Sequence, residues 1–141
     1  MTGASTQIHA SCVAIDGRGV LIAGPSGAGK SDLALRLIDR GAQLVSDDYT
    51  DLVAADGALV ASAPDRIRGL IEVRGLGIVT LPVLDRVPVA LHVDLGDPVP
   101  RLPETGQVTV LAGIPVASIR IAAHEASAPI KVELALKPIP A

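Results

Sequence analysis

The sequence predicts an α/β fold, a phosphate-loop (P-loop) core on a mixed, strand-rich sheet with few helices. Three observations lead there. Val20-Leu21-Ile22-Ala23 is a short apolar run of strand type that passes directly into a loop of glycines and small residues, Gly24 to Gly29. Asp32 to Arg40 then carries apolar residues at helical spacing, Leu33 with Leu37 and Ala34 with Ile38. Most of the remaining chain is short, β-branched-rich runs punctuated by Gly, Pro and Asp-Gly signals.

The elements follow in order. Ile8 to Ile15 reads as a strand, closed by the turn signal Asp16-Gly17, and Val20 to Ala23 as a buried strand. In the helix, Asp32 precedes Arg36 at i,i+4, the favourable order for an ion pair, and Gly41 is the expected stop. Gln43 to Ser46 is the next strand. Residues 51–53 and 58–60 flank Asp56-Gly57 as a hairpin. Leu70 to Arg74 is a strand entering the turn Gly75-Leu76-Gly77, and Val87 to Leu95, Val108 to Leu111 and Ser118 to Ala122 are further strands. Between them, Gly96 to Pro103 holds three prolines and reads as a loop. Ile130 to Lys137 stays open between two readings: it alternates like a strand, yet Ser127 and Pro129 resemble a helix start.

No linker divides the 141 residues, so one domain over 1–141 is expected. Hydrophobic residues at 49% supply a core, and it must be aliphatic, because Phe and Trp are absent and Tyr49 is the one tyrosine. A net charge of −3 argues against a protein that coats nucleic acid or an anionic membrane, and the lack of aromatics argues against base stacking. The longest charge-free stretches, 1–15 and 105–119, are 15 residues each, short of the roughly 18 of a membrane span. The N-terminus has no basic, apolar leader pattern, and the lone Cys12 permits no internal disulfide; a cytoplasmic setting is expected. Cys12 itself reads as a small apolar strand residue, and His92, in an apolar run, as a satisfied strand residue. His124 has no assignable partner.

The strongest motif is Gly24-Pro25-Ser26-Gly27-Ala28-Gly29-Lys30-Ser31, which fits G-x-x-x-x-G-K-[ST]. Glycines let backbone N–H groups turn inward around phosphates, and the following helix adds the positive end of its dipole. Lys30 would place its charge on the β- and γ-phosphates, and the Ser31 hydroxyl suits Mg2+, a hard cation. ATP and Mg2+ are therefore the expected ligands.

The strand before the loop, the helix and the strand 43–46 form a βαβ-type unit, so the two strands should run parallel and end on one sheet edge. Asp47-Asp48 then emerges beside the loop. If the pair stays extended, one carboxylate faces the reaction and the other organises it. In Ile71-Glu72-Val73-Arg74, alternation puts Glu72 and Arg74 on one face, where Glu72 could hold Mg2+ and Arg74 could neutralise phosphate charge. Arg101, in the proline-rich loop, is a cation that could close on a phosphorylated partner.

Taken together, His9, Gly24 to Ser31, Leu44-Val45-Ser46-Asp47-Asp48 and Gly69-Leu70-Ile71-Glu72-Val73-Arg74-Gly75-Leu76-Gly77-Ile78 resemble the catalytic domain of HPr kinase/phosphorylase. The resemblance runs from about His9 to Thr80, half of the chain, and its most specific stretch is Glu72 to Gly77. It implies a P-loop core related to phosphoenolpyruvate carboxykinase. It also implies transfer of the ATP γ-phosphoryl group to a serine of HPr, a carrier of the sugar phosphotransferase system, with a phosphorolytic reverse reaction in many members. The chain is similar to the short form that lacks an N-terminal domain, and family members tend to form hexamers. Carried over by position, Lys30 matches the catalytic lysine, Ser31 and Glu72 the magnesium ligands, and Asp47 the proton acceptor. His9 matches an active-site histidine, with His-Ala-Ser in place of His-Gly, and Arg101 is the best match for a catalytic arginine. Asp48 and Arg74 are left in supporting roles. One departure stands out: Ile114-Pro115-Val116 is followed by Ala117-Ser118-Ile119, where the family has Gly-Arg-Asn in a region tied to dephosphorylation. Two alternatives stay open: a small-molecule kinase or carboxykinase relative, and an ATP-binding regulatory module that performs no transfer.

Overall fold

A computed structural model of the chain describes residues 5–140; residues 1–4, where the segment read above as unlike a leader begins, and residue 141 lie outside the described residues. The strands are β1 (Ser5–Ile8), β2 (Ala10–Ile15), β3 (Arg18–Ala23), β4 (Gln43–Ser46), β5 (Thr50–Ala55), β6 (Ala58–Ser62), β7 (Leu70–Val73), β8 (Gly77–Thr80), β9 (Val87–Asp94), β10 (Val108–Leu111) and β11 (Ile114–Arg120). The helices are α1 (Lys30–Asp39) and α2 (Ala128–Leu136), with a 3-10 turn at Asp65–Ile67. A nine-stranded sheet runs in the order β1-β5-β6-β9-β3-β2-β4, with the β10–β11 hairpin joined to β9 through β11, and β7–β8 forms a separate two-stranded sheet.

Most pairings are antiparallel, but β3 and β11 both run parallel to β9. The expected parallel relation of β3 and β4 holds in direction, although the two are not neighbours. β2 lies between them and is antiparallel to both. The cause is local: Asp16 and Gly17 both take positive φ, 51° and 75°, the geometry of a tight hairpin turn, so β2 folds directly onto β3. β2 is entirely interior up to Ala14, with Ser11 its one polar residue, which suits a central position. As a result the C-terminal ends of β3, β4, β9 and β11 and the N-terminal end of β2 share one edge of the sheet.

Alternation along the strands divides the core. Val13, Val20, Ile22, Leu91 and Val93 pack with Leu33 and Leu37 of α1 and Val132 and Leu136 of α2. Cys12, Leu21, Val45, Leu52 and Leu59 fill the opposite side. Burial pushes the Cys12 thiol up to about 12, against a lowering contact from the Val20 backbone, so it is an inert core group, as expected.

Four sequence expectations change. The strand 8–15 breaks at His9, because β1 leaves the β2 line to pair with β5. The helix begins at Lys30 rather than Asp32, so Lys30 and Ser31 sit in its first turn. The open segment 130–137 is helical: Pro129 stands at the first positions of α2, and the alternating apolar residues make two stripes, with Val132 and Leu136 buried and Ile130 and Leu134 exposed. The strand read at 118–122 begins at Ile114, paired to β10 across a turn whose Ala112 and Gly113 have φ 49° and 79°. Among the described residues no helix is long and apolar enough to cross a membrane.

His92 pairs across the sheet with Ser118, whose hydroxyl stands 3.1 Å from His92 Nδ1 and accepts from Thr109 Oγ1 at 3.0 Å. The Ser118 hydroxyl can either donate to this nitrogen or accept from it, so a neutral imidazole keeps the contact in either tautomer. Burial holds this ring below its ordinary 6.5, against the opposing charge of Asp94. The unfolded chain binds a proton that the folded chain refuses, so stability falls as pH drops through the unfolded value and levels off below the folded one. The urea midpoint is expected to decrease from about pH 7.5 to about pH 5.5, and His92→Asn should decrease less. Parallel slopes for the two proteins would remove His92 from the acid response.

Candidate functional site at the strand-to-helix loop

The loop from Gly24 to Gly29 leaves β3 and turns into α1. Gly27 and Gly29 have φ 83° and 99°, which other residues rarely adopt. A Cβ on Gly29 would lie 3.2 Å from the Ala123 Cβ, so that glycine also permits close approach of the segment after β11. Lys30 is buried and folds back, its Nζ donating to the carbonyls of Gly24 (2.8 Å) and Pro25 (3.1 Å). An ammonium has three donors, so one remains beyond those two bonds.

The two aspartates divide at the end of β4. Asp47 is buried and accepts on Oδ1 from Ser31 Oγ (2.6 Å) and Ser11 Oγ (2.9 Å), and on Oδ2 from the Glu72 backbone N–H (3.0 Å). Asp48 has φ 70°, and the Tyr49 N–H donates to the Asp47 carbonyl at 2.8 Å, which closes a tight turn. The pair is therefore not extended. The turn swings the Asp48 carboxylate outward, 56% exposed, where Oδ1 lies 2.7 Å from His9 Nε2. The His9 ring stacks on Tyr49, with centroids 5.0 Å apart and planes at 24°. The Asp48 backbone N–H donates to Ser11 Oγ at 3.1 Å, so Ser11 links both acids.

A cavity of about 650 Å³ opens here, lined by Ser26, Gly27, Lys30, Ser31, Asp47, Asp48, Glu72, Arg74 and His124 among others. Of the residues read from the sequence, the structure brings together Lys30, Ser31, Asp47, Asp48, Glu72 and Arg74, with His9 behind Asp48. Arg101 does not join them. It is exposed, in the segment between β9 and β10, and is not among the lining residues. Asp47, expected as the proton acceptor, lines the cavity with Oδ1 accepting from two hydroxyls and Oδ2 from one backbone N–H. Asp48 is the open carboxylate. Sequence reasoning missed Ser11, Tyr49 and the approach of His124. Ser11 was within reach, because His9 and Ser11 stand two apart in a strand region and share a side.

The residues fit magnesium. The Ser31 hydroxyl, oriented by Asp47, and the Glu72 carboxylate are hard oxygen donors in the same cavity. Among the described residues no group of three or more His, Cys, Asp or Glu could hold a metal ion by itself. The lining also carries Asp32, Asp47, Asp48 and Glu72 against Lys30 and Arg74, an excess of negative charge that a polyphosphate could approach only with a cation.

Fold and site together define a class: a mixed, strand-rich α/β protein whose polar cavity lies at a glycine-rich strand-to-helix loop. The family described as HPr Serine kinase C-terminal domain matches residues 2–84, and the chain belongs to it. HPr kinase/phosphorylase of Clostridium tetani is 48% identical over 79 residues, 56% of this chain and 26% of the relative. The protein of the same name from a Geobacillus species is 41% identical over 104 residues, 67% of this chain and 33% of the relative. The chain thus spans about a quarter to a third of the length of these relatives. The solved structure of the Hpr(Ser) kinase/phosphatase from Coxiella burnetii is similar with a TM-score of 0.81 and 33% identity, covering 94% of this chain and 95% of that one.

Proposed function

We propose that this chain is an ATP- and Mg2+-dependent serine kinase whose acceptor is an HPr-type phosphocarrier protein in the cytoplasm. The observation that carries the reading is the convergence on one sheet edge of Lys30, Ser31, the Asp47 hub, Glu72 and an open Asp48–His9 pair. Family membership and the printed names of the relatives support the choice of acceptor.

In this mechanism the Gly24–Gly29 amides and Lys30 hold the β- and γ-phosphates of ATP, and Lys30 exchanges its loop carbonyls for phosphate oxygens. Ser31 and Glu72 would hold Mg2+, which would supply charge neutralisation for the transferring group. His9 donates its Nε2–H to Asp48 Oδ1 and so orients the carboxylate toward the cavity. Asp48 takes the proton of the acceptor serine as its oxygen attacks the γ-phosphorus in line. The bond from the γ-phosphorus to the ADP oxygen breaks, ADP leaves, and the proton passes from Asp48 to solvent. Arg74 stands on the cavity wall, placed to offset charge on the acceptor side.

The test is the intact mass of HPr after incubation with the protein and Mg-ATP. A gain of one phosphate is expected, and Lys30→Ala should lower both ADP affinity and the rate of transfer, the latter by about 100-fold or more. Bound ATP without any gain would overturn the kinase reading in favour of the regulatory module, to which the missing Gly-Arg-Asn segment lends support. Transfer to a metabolite in the absence of HPr would favour the small-molecule kinase. Phosphorolysis is a separate question for the same assay, answered by adding inorganic phosphate to phosphorylated HPr.

A further inference from the structure

One cavity-lining residue has no role in the mechanism above. His124 follows β11 in the stretch Ile121 to Glu125, which arrives at the same sheet edge as the loop because β11, β9 and β3 run parallel. Its Cε1 is 3.9 Å from the position a Cβ would occupy on Gly29. That carbon lies between the two ring nitrogens, so the edge of the imidazole that can donate hydrogen bonds is the edge facing the loop.

The backbone around His124 is held from α1. Arg36 Nη2 donates to the Ala123 carbonyl and Nη1 to the Glu125 carbonyl at 3.2 Å, one on each side of His124. Arg36 Nε is fixed in turn by Asp32 at 3.0 Å. From the other flank, Lys131 of α2 pairs with the Glu125 carboxylate at 2.9 Å, and the Ile121 N–H donates to the Asp94 carbonyl at 3.1 Å. The Ala123 methyl rests against Gly29 itself. The stretch is thus pinned at several points, with Ile121 and Ala123 buried, and the side chain it presents to the cavity is the exposed imidazole of His124. Such bracing lowers the entropic cost of using that ring to bind.

We propose that His124 is a ligand of the nucleotide's phosphate chain, approaching it from the side of Gly29, and that Arg36 is its positioning residue. The assignment rests on the nucleotide reading of the loop and extends it. It places a donor from the C-terminal third of the chain opposite the Asp48–His9 pair, so the phosphates lie between a donor-side histidine and an acceptor-side one. The backbone pinning explains how a residue distant in sequence from the loop is delivered to it.

The test is calorimetric binding of Mg-ADP and of Mg-pyrophosphate to wild type, His124→Ala, His124→Gln, Arg36→Gln, the double variant Arg36→Gln/His124→Ala, and Lys30→Ala. Thermal melts establish that each is folded. His124→Ala is expected to weaken both ligands by about tenfold, the size of one charge-assisted hydrogen bond. His124→Gln, which keeps an N–H donor, should recover most of that loss. Arg36→Gln should weaken both ligands severalfold, and the double variant should bind no more weakly than His124→Ala alone. Wild-type affinity for both ligands in His124→Ala overturns the proposal. So does a loss confined to ADP, which would put the ring on the nucleoside. If wild type binds but Lys30→Ala does not, the loop reading stands whatever His124 does; if wild type binds neither ligand, both readings fall.

Discussion

Asp48→Asn is expected to lower phosphoryl transfer to HPr by about 10²–10⁴-fold while Mg-ADP affinity stays within about twofold of wild type. The amide is nearly the same size and keeps an oxygen for His9, so the turn at φ 70° and the stack on Tyr49 should persist. What it loses is the ability to take a proton. The carboxylate is 56% exposed and has one side-chain partner, which makes this a clean removal of function with little structural cost. Initial rates from HPr mass spectra and an ADP isotherm check it. Near-normal turnover would show that the acceptor's proton leaves by another route.

Asp47→Ala should behave differently, losing both activity and stability. Its carboxylate satisfies two hydroxyls and one backbone N–H, and Ser11 is fully buried. Unsatisfied buried donors cost about 1–3 kcal/mol each, but Ser31 can turn toward the cavity, so a net loss of about 2–4 kcal/mol is expected. In a chain of this size that lowers Tm by roughly 6–14 °C. Transfer should be undetectable, because nothing then orients the Ser31 hydroxyl. An inactive variant that melts like wild type would mean that Asp47 does not hold the site together. The contrast between the two substitutions separates the acid that reacts from the acid that arranges.

Much of this architecture was legible in the sequence, because the governing signals are local. The loop between Ala23 and Lys30 is fixed by glycine chemistry, and the hairpin at Asp56-Gly57 by turn preference. The common edge of the loop and the aspartates followed from strand direction alone. The different settings of Asp47, buried, and Asp48, exposed, did not, because they depend on a reversal of the chain at one residue and on Ser11, 36 positions upstream of Asp47. Arg101 was placed by resemblance in a segment whose spacing differs, and the fold keeps it outside the cavity lining. His124 was invisible for a related reason. Its arrival requires that β11 pair parallel to β9, a long-range choice that no window of sequence contains.

The register between β2 and β4 shifts between Cys12 and Val13, so that Ser46 faces Cys12 while Leu44 faces Val13, and Val45 is the extra residue on β4. One step beyond Ser46, Asp47 comes opposite Ser11. Deleting Val45 would straighten the ladder with Leu44 still opposite Val13 and Ser46 still opposite Cys12, so Asp47 would still come opposite Ser11. The bulge is therefore a one-residue slack in β4: it can be lost without moving the aspartates off their partners, whereas an added residue has no such slack to occupy. An indel scan across 43–46 is therefore expected to find a Val45 deletion better tolerated, in fold and in transfer, than an insertion at the same place.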